Sequence, residues 1–333
     1  MLEQTLTIRN TEFSNRLVMA PTNLRFAEKG FVNENHLAYY DSRTQGGYVG
    51  LVVVEHTFVL PNGQASAPQL GSCDDKYIPG LTQLAETIHK NGSKAVLQIS
   101  HAGASLRKDV VPLEGISPSG LVSPLDRTPK DKLQNTHAMS LEEIRELIDA
   151  FVAAALRAKK AGFDGVEIHS AHGYLLNQFY SPLTNHRSDA YTGGTIEGRT
   201  LLQRQVLQTV RKAAGDDFIV GLRLGACDYT PGGSTIEDGA AAAKLIEVAG
   251  ADYISVTGGL CFYTLPGRTD AGYFRDASEA IKKSVHIPVL LTGGIWTREA
   301  AEQLLAAGQA DLIGAARPFL KDAGFGKLML ENK

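Results

Sequence analysis

The stretch "GLVVVE" at residues 50–55 is apolar up to its last position, with three valines in succession. An unbroken apolar run of this length describes a strand buried on both faces, because a strand with one solvated face would alternate. Comparable runs recur at "RLVMA" (16–20), "KAVLQI" (94–99), "GVEIH" (165–169), "FIVGLRL" (218–224), "YISVT" (253–257), "PVLLT" (288–292) and "DLIGAA" (311–316). Segments with helical spacing lie between them, near residues 35–45, 76–91, 140–161, 196–214, 235–249, 274–284 and 297–307. One of them opens "SLEEIRELI", with Ser140 and Glu143 in the spacing of a capping box. Eight strand-helix units in one uninterrupted alternation predict an α/β chain of the (β/α)8 type, a TIM barrel forming a single domain over residues 1–333. The Pro- and Ser-rich segment 101–139 reads as an extended loop after the third strand, where such barrels build pockets or lids.

Composition narrows the class of partner. Hydrophobic residues make up 43% and charged residues 21% of the 333, the balance of an ordinary globular enzyme with a sizeable core. Net charge is −3, and the basic residues form no stripe interleaved with aromatics, which excludes nucleic acid and an anionic membrane surface as expected partners. The three cysteines, Cys73, Cys227 and Cys261, form no CxxC pair, so neither a disulfide framework nor a cysteine-ligated metal is expected. The N-terminal sequence lacks the pattern of a leader, and the longest apolar run is broken by Glu55 and His56; a cytoplasmic location is expected.

In a barrel of this kind chemistry sits at the C-terminal ends of the strands. "GVEIHSAHGY" places His169 at the end of the fourth strand, with His172 and Tyr174 directly after it. HxxH is not the spacing of a helical zinc site, and no acidic or cysteine ligand stands nearby to complete a shell, so no metal is expected. Two readings stay open at this level: a satisfied pair of core imidazoles, or two donors to one carbonyl oxygen with Tyr174 as proton donor. Gly293, Gly294, Ala315 and Ala316 follow the last two strands, where small residues let an anion approach backbone N–H groups, and Arg317 can pair with its charge. Gln98 and Arg223 end the third and fifth strands with an amide and a fixed cation, a pair that suits the pyrimidine edge of a flavin or serves as scaffold.

The run "IHSAHGYLLNQFYSPLTNHRSDAYTGGTIEGR" (168–199) resembles the signature of the Old Yellow Enzyme family of FMN-dependent ene-reductases. "NRLVMAPTN", "GLVVVE", "LQISHAG", "GISPS", "GLRLG", "DYISVTGG", "IPVLLTGGI" and "ADLIGAARPFLKD" agree with the family in order and spacing, so the resemblance covers nearly the whole chain. It implies FMN held noncovalently at the barrel mouth. Pro21, Thr22 and Asn23 would approach the isoalloxazine, Gln98 and Arg223 would hold its pyrimidine side, and Thr257, Gly258 and Gly259 would pass close by. Gly293, Gly294, Ala316 and Arg317 would take the phosphate. His169 and His172 match the pair that binds an activating carbonyl, and Tyr174 matches the proton donor to carbon. The implied activity is NAD(P)H-driven, ping-pong reduction of activated C=C bonds in enones, quinones or related electrophiles, with hydride from the flavin N5. No GxGxxG turn follows the first strand, in keeping with NAD(P)H using the same face of the flavin.

Four departures from the family pattern stand out. Asn23 replaces the usual Cys or Thr, His56 replaces a small residue beneath the flavin, and "YTGG" carries one residue more than the usual Y-G-G. The sequence ends "LMLENK" without the arginine that the short bacterial branch lends to a neighbour, so a homo-oligomer is expected without a defined mode. Length and scattered cysteines point to a single-barrel member. A flavin-free barrel lyase or isomerase acting on a phosphorylated substrate, and a non-catalytic flavin-binding protein, are the competing readings; Asn23 and His56 motivate the second.

Overall fold

The computed structural model describes residues 1–331. Eight strands close into a parallel barrel: β1 (Leu17–Met19), β2 (Leu51–Phe58), β3 (Lys94–Ser100), β4 (Gly165–Ser170), β5 (Ile219–Cys227), β6 (Tyr253–Gly258), β7 (Val289–Thr292) and β8 (Leu312–Ala315). Each pairs with its sequence neighbours, and β8 pairs with β1 to close the ring. All eight expected strands are present within a few residues of their apolar runs. Outside them lie α1 (Glu34–Thr44), α2 (Ile78–His89), α3 (Leu141–Lys160), α4 (Leu201–Ala214), α5 (Ile236–Val248), α6 (Arg275–Lys282) and α7 (Arg298–Ala306). No helix among the described residues is long and apolar enough to cross a membrane.

Local chemistry accounts for the helices. In α3 the Ser140 side chain accepts the Glu143 N–H while the Glu143 carboxylate accepts the Ser140 N–H, as the spacing predicts. The buried face of α3 is Ile144, Leu147, Phe151, Ala154, Ala155 and Ala158, the three-four spacing of one stripe. The expected helix over 196–214 divides at Thr200 into Ile196–Arg199 and α4. The long loop after β3 has structure of its own, a short parallel pair of Gly115–Ser117 with Thr136–Ala138.

Alternation along each strand sorts side chains into two compartments. Val52, Val54, Leu97 and Ile168 pack outward on the helices, whereas Leu51, Val53, Val96, Ile219, Tyr253, Leu290 and Leu312 fill the barrel interior. The floor of that interior is covered by a hairpin absent from the sequence reading, Leu6–Ile8 paired with Thr11–Phe13, which adds Ile8 and Phe13 to the interior cluster. Arg9 at its tip donates Nε to Asp252 Oδ1 at 2.5 Å, and Asp252 also accepts the Val220 N–H at 2.7 Å and the Arg211 guanidinium. Gly221 is what lets the Tyr253 ring cross the interior, because a Cβ there would overlap the ring carbons. Gly221→Ala is therefore expected to cost about 1–3 kcal/mol in urea unfolding, through overpacking without a change of fold.

One extra residue in β2 re-aims its end. Val54 pairs with Leu97 but Thr57 pairs with Ile99, three steps on one strand against two on the other. Such a bulge turns side chains relative to the pleat. Glu55 consequently faces α1, where it accepts the Leu24 N–H at 3.3 Å and lies 3.7 Å from His36 Nε2, and His56 faces the barrel mouth. Burial pushes the Glu55 carboxyl up to about 8 and His36 down to about 4. With its folded pKa above the ordinary value of 4.5, Glu55 holds a proton in the native chain that the unfolded chain has lost, so its own contribution to stability falls as pH rises from about 5 to 8, while His36, neutral in the native chain, contributes in the opposite sense up to about 6.5. Measured by thermal melts, Glu55→Gln should gain stability relative to the parent as pH rises over that range; curves that stay parallel would mean that Glu55 titrates normally.

Candidate active site

The C-terminal mouth of the barrel holds a cleft of about 400 Å³. It is lined from β1 by Pro21, Thr22 and Asn23, from β2 by His56, from β3 by Gln98, and from β4 by His169, His172 and Tyr174. Arg223, Thr257, Gly293, Gly294, Ala316 and Arg317 line it from β5 to β8, with loop residues such as Tyr273 and Trp296 among the rest of the wall. Gly258 and Gly259 do not line it. They turn the chain away behind the wall, where Leu260 N–H bonds Asp228 at 2.7 Å and a Cβ on Gly259 would overlap the same carboxylate.

At the floor, Arg223 is 4% exposed and, among the described residues, its only hydrogen bond is from Nη2 to Thr292 Oγ1 at 3.4 Å, with Nε and Nη1 buried and unpartnered. His169 stands opposite Arg223 in the β4–β5 register, with a buried and unpartnered Nδ1. Gln98 donates Nε2 to Glu167 Oε1 at 2.7 Å. The unpaired Arg223 nitrogens require an acceptor, since an orphaned buried donor costs about 1–3 kcal/mol.

His172, at φ 61°, carries its ring back toward the barrel axis, where Nε2 meets Thr257 Oγ1 at 3.0 Å. Its ring stands edge-on to His169 at 5.1 Å, and Tyr174 meets His169 at 5.3 Å. His56 stacks on Tyr174 at 5.4 Å and 20°. Its tautomer follows from its neighbours. Gln69 accepts the Ala65 N–H through Oε1 at 2.7 Å, so its amide NH2 faces His56 Nδ1 at 3.0 Å; Ser100 Oγ, 3.3 Å from the same nitrogen, can also donate to it, which leaves the imidazole proton on Nε2. That N–H is a donor in the cleft wall with no partner among the described residues.

Electrostatics keep these rings neutral. Burial holds His56 down at about 4; burial, then neighbouring imidazoles and Arg223, lowers His169 well below the usual value, and burial with Arg223 and His56 does the same for His172. Burial, with Asp126 and Tyr263 adding to it, raises the Tyr174 phenol to about 12. Asn23 is engaged on both sides, donating to Ser66 Oγ at 3.1 Å and accepting the Arg25 N–H at 2.9 Å, so it braces its loop.

Gly293 (φ 122°) and Gly294 (φ 67°) lie in the left-handed region, and a Cβ on either would come within 2.9 or 2.8 Å of the Tyr273 ring. Their backbone amides have no partner among the described residues, and Arg317 adjoins them with Nη2 on Tyr273 Oη at 3.1 Å. That arrangement can receive an anion. Sequence reasoning missed Glu167, Tyr273, Thr292 and Trp296. Glu167 was legible, two residues before His169 and so on the same face of the strand, whereas Tyr273 and Trp296 come from loops without periodicity. Among the described residues no group of three or more His, Cys, Asp or Glu is placed to hold a metal.

A closed (β/α)8 barrel with a deep polar cleft at the C-terminal mouth is the class that fold and site define. The family model for the NADH:flavin oxidoreductase / NADH oxidase family matches residues 2–331. An NADH oxidase of Thermoanaerobacter brockii is 38% identical over 98% of this chain, which spans about half (50%) of that relative's length. An NADPH dehydrogenase of Halalkalibacterium halodurans is 38% identical over 95% of this chain and 89% of the relative. A 2-naphthoyl-CoA reductase structure superposes with a TM-score of 0.91 at 28% identity, covering 99% of this chain and 52% of that one. The Old Yellow Enzyme homologue of Zymomonas mobilis gives 0.86 at 27% identity, covering 99% and 92%. The chain belongs to the NADH:flavin oxidoreductase family, that of Old Yellow Enzyme.

The cleft geometry predicts a plain pH profile. None of His56, His169, His172 and Tyr174 should change charge between pH 6 and 9, so binding of an uncharged carbonyl compound, followed by spectral titration, is expected to be constant across that range. An inflection near 6.5 would mean that one imidazole titrates as it does in water.

Proposed function

We propose that this chain is an FMN-dependent oxidoreductase that takes electrons from NAD(P)H of the cytoplasm and reduces C=C bonds activated by a carbonyl, or quinones, in a ping-pong cycle. The observation that carries the reading is Arg223, buried at the floor of the cleft that Gln98 also lines, with two unpartnered nitrogens. A buried cation facing an open cleft fits the electron-rich pyrimidine edge of a flavin. The free Gly293 and Gly294 amides and Arg317, after the ends of β7 and β8, fit its phosphate. Bound FMN would supply the hydride chemistry that no side chain of the cleft can.

The protein's own groups would act on the substrate. His169 and His172 receive the carbonyl oxygen; for His172 to donate through Nδ1, Thr257 must give its hydroxyl proton to Nε2, and their 3.0 Å separation allows this. Neutral imidazoles suit the task, because they polarise the carbonyl without competing as acids. Tyr174 keeps its proton up to a pH of about 12 and can pass it to the carbon that becomes basic. His56 supplies a further N–H donor on the same wall, beside Tyr174.

The test is a visible spectrum of the purified protein with anaerobic NADH or NADPH and then cyclohexenone. Yellow colour that bleaches with the nicotinamide and returns with the enone is expected; a protein that takes up no FMN would overturn the reading in favour of a flavin-free barrel enzyme. Tyr174→Phe should slow enone reduction by about 10²–10⁴-fold and leave nicotinamide oxidation unchanged. His172→Ala should weaken carbonyl binding far more than it slows the nicotinamide step, and equal losses in both would remove the assigned role.

A further inference from the structure

One charged group of the barrel interior has no part in the chemistry above. Glu167 is 0% exposed, sits one pleat below His169 on β4, and receives two donors: Gln98 Nε2 on Oε1 at 2.7 Å and the Tyr253 hydroxyl on Oε2 at 3.0 Å. Gln98 and Glu167 are direct register partners on β3 and β4, and Gly221, the partner of Glu167 on β5, is the position that admits the Tyr253 ring. Both neighbours present protons, so the carboxyl is placed to accept through both oxygens, and the nearest uncompensated cation is Arg223 in the next layer. The two are not in contact, since no ion pair of Arg223 lies within 4.0 Å among the described residues, but they share a water-poor interior in which charges are felt over several ångströms.

We propose that Glu167 is a positioning residue for the flavin-binding pair: by claiming the Gln98 NH2 it fixes the amide with Oε1 toward the cleft as an acceptor, and its negative charge balances Arg223 beneath the ring. An amide has two nearly isosteric orientations, and only the partner at its closed end decides between them. With Nε2 committed to Glu167, Gln98 can select a ring that offers an N–H at that point, while the spare nitrogens of Arg223 select one that offers an acceptor. This is a donor-acceptor code for the uncharged pyrimidine edge, written by a residue that touches no ligand. Because Glu167 adds a negative charge near the site, it also holds the flavin's reduction potential lower than Arg223 alone would set it.

The assignment rests on the FMN reading and is tested on the whole protein with Glu167→Gln and Glu167→Asp. FMN affinity is read by flavin fluorescence, the midpoint potential by equilibration with a reference dye, and thermal melts report folding. Glu167→Gln, which removes the charge and frees Gln98 to turn, should bind FMN about tenfold more weakly and have a raised potential. Glu167→Asp, which keeps the charge but falls short of Gln98, should lose affinity with a potential near that of the parent. Folded variants with the parent's affinity and potential would overturn the assignment, as would equal losses of melting temperature and affinity with no change of potential in Glu167→Gln. If Glu167→Gln does not fold, unchanged FMN affinity in Glu167→Asp overturns it. A parent that takes up no FMN would fell the functional reading itself, an outcome separate from variants that match an FMN-binding parent.

Discussion

A guanidinium held away from water at the mouth of a closed barrel is the constraint around which the site is organised. Burial disfavours the charge on Arg223 and likewise pushes the Glu167 carboxyl upward, and each offsets part of that cost for the other. The ring of hydrogen-bonded strands makes that space. Strand register then decides which groups meet: His169 lies across from Arg223, Gln98 across from Glu167, and Ser255 across from Arg223 on its other side. Each of these positions is fixed by ladders that cannot slip by one residue without sending every inward side chain outward.

Much of this was legible in the order of residues. Parallel strands buried on both faces announce themselves as unbroken apolar runs, and all eight did. Most of the residues singled out at their C-terminal ends, from Pro21 to Arg317, gather in one cleft because the closed barrel turns those ends to one mouth. What stayed hidden depends on departures from periodicity or on contacts between distant segments. The floor hairpin is two strands of three residues, too short for any pattern. Tyr273 and Trp296 reach the cleft from loops. Gly258 and Gly259 look like cleft residues by position, yet the extra residue in β5 opposite Thr257 and Gly258 carries them behind the wall toward Asp228.

The bulge in β2 has the widest reach of these departures. Without it Glu55 would point into the barrel and His56 onto the helices; with it, an acid and an imidazole exchange compartments. The imidazole then meets a side chain, Gln69, whose own amide is oriented by Ala65, and so the donor in the cleft wall is set by a chain of three hydrogen-bonding choices that begins at a backbone N–H. On the outer side, Glu55 holds Leu24 and with it the loop that carries Asn23. Both ends of one strand irregularity thus act on the same cleft.

The hairpin beneath the barrel bears on how the chain comes together. Arg9 and Asp252 are 243 residues apart in sequence, and the groove that receives Ile8 and Phe13 needs β2, β3, β5, β6, β7 and β8 all in place. During synthesis the hairpin therefore emerges long before its seat exists, and its apolar side chains remain exposed while most of the barrel is still being made. A contact of such separation carries a large loop-closure entropy unless other pairings have already shortened the intervening loop. Until the hairpin is seated, water can reach Tyr253 and the charges above it from below.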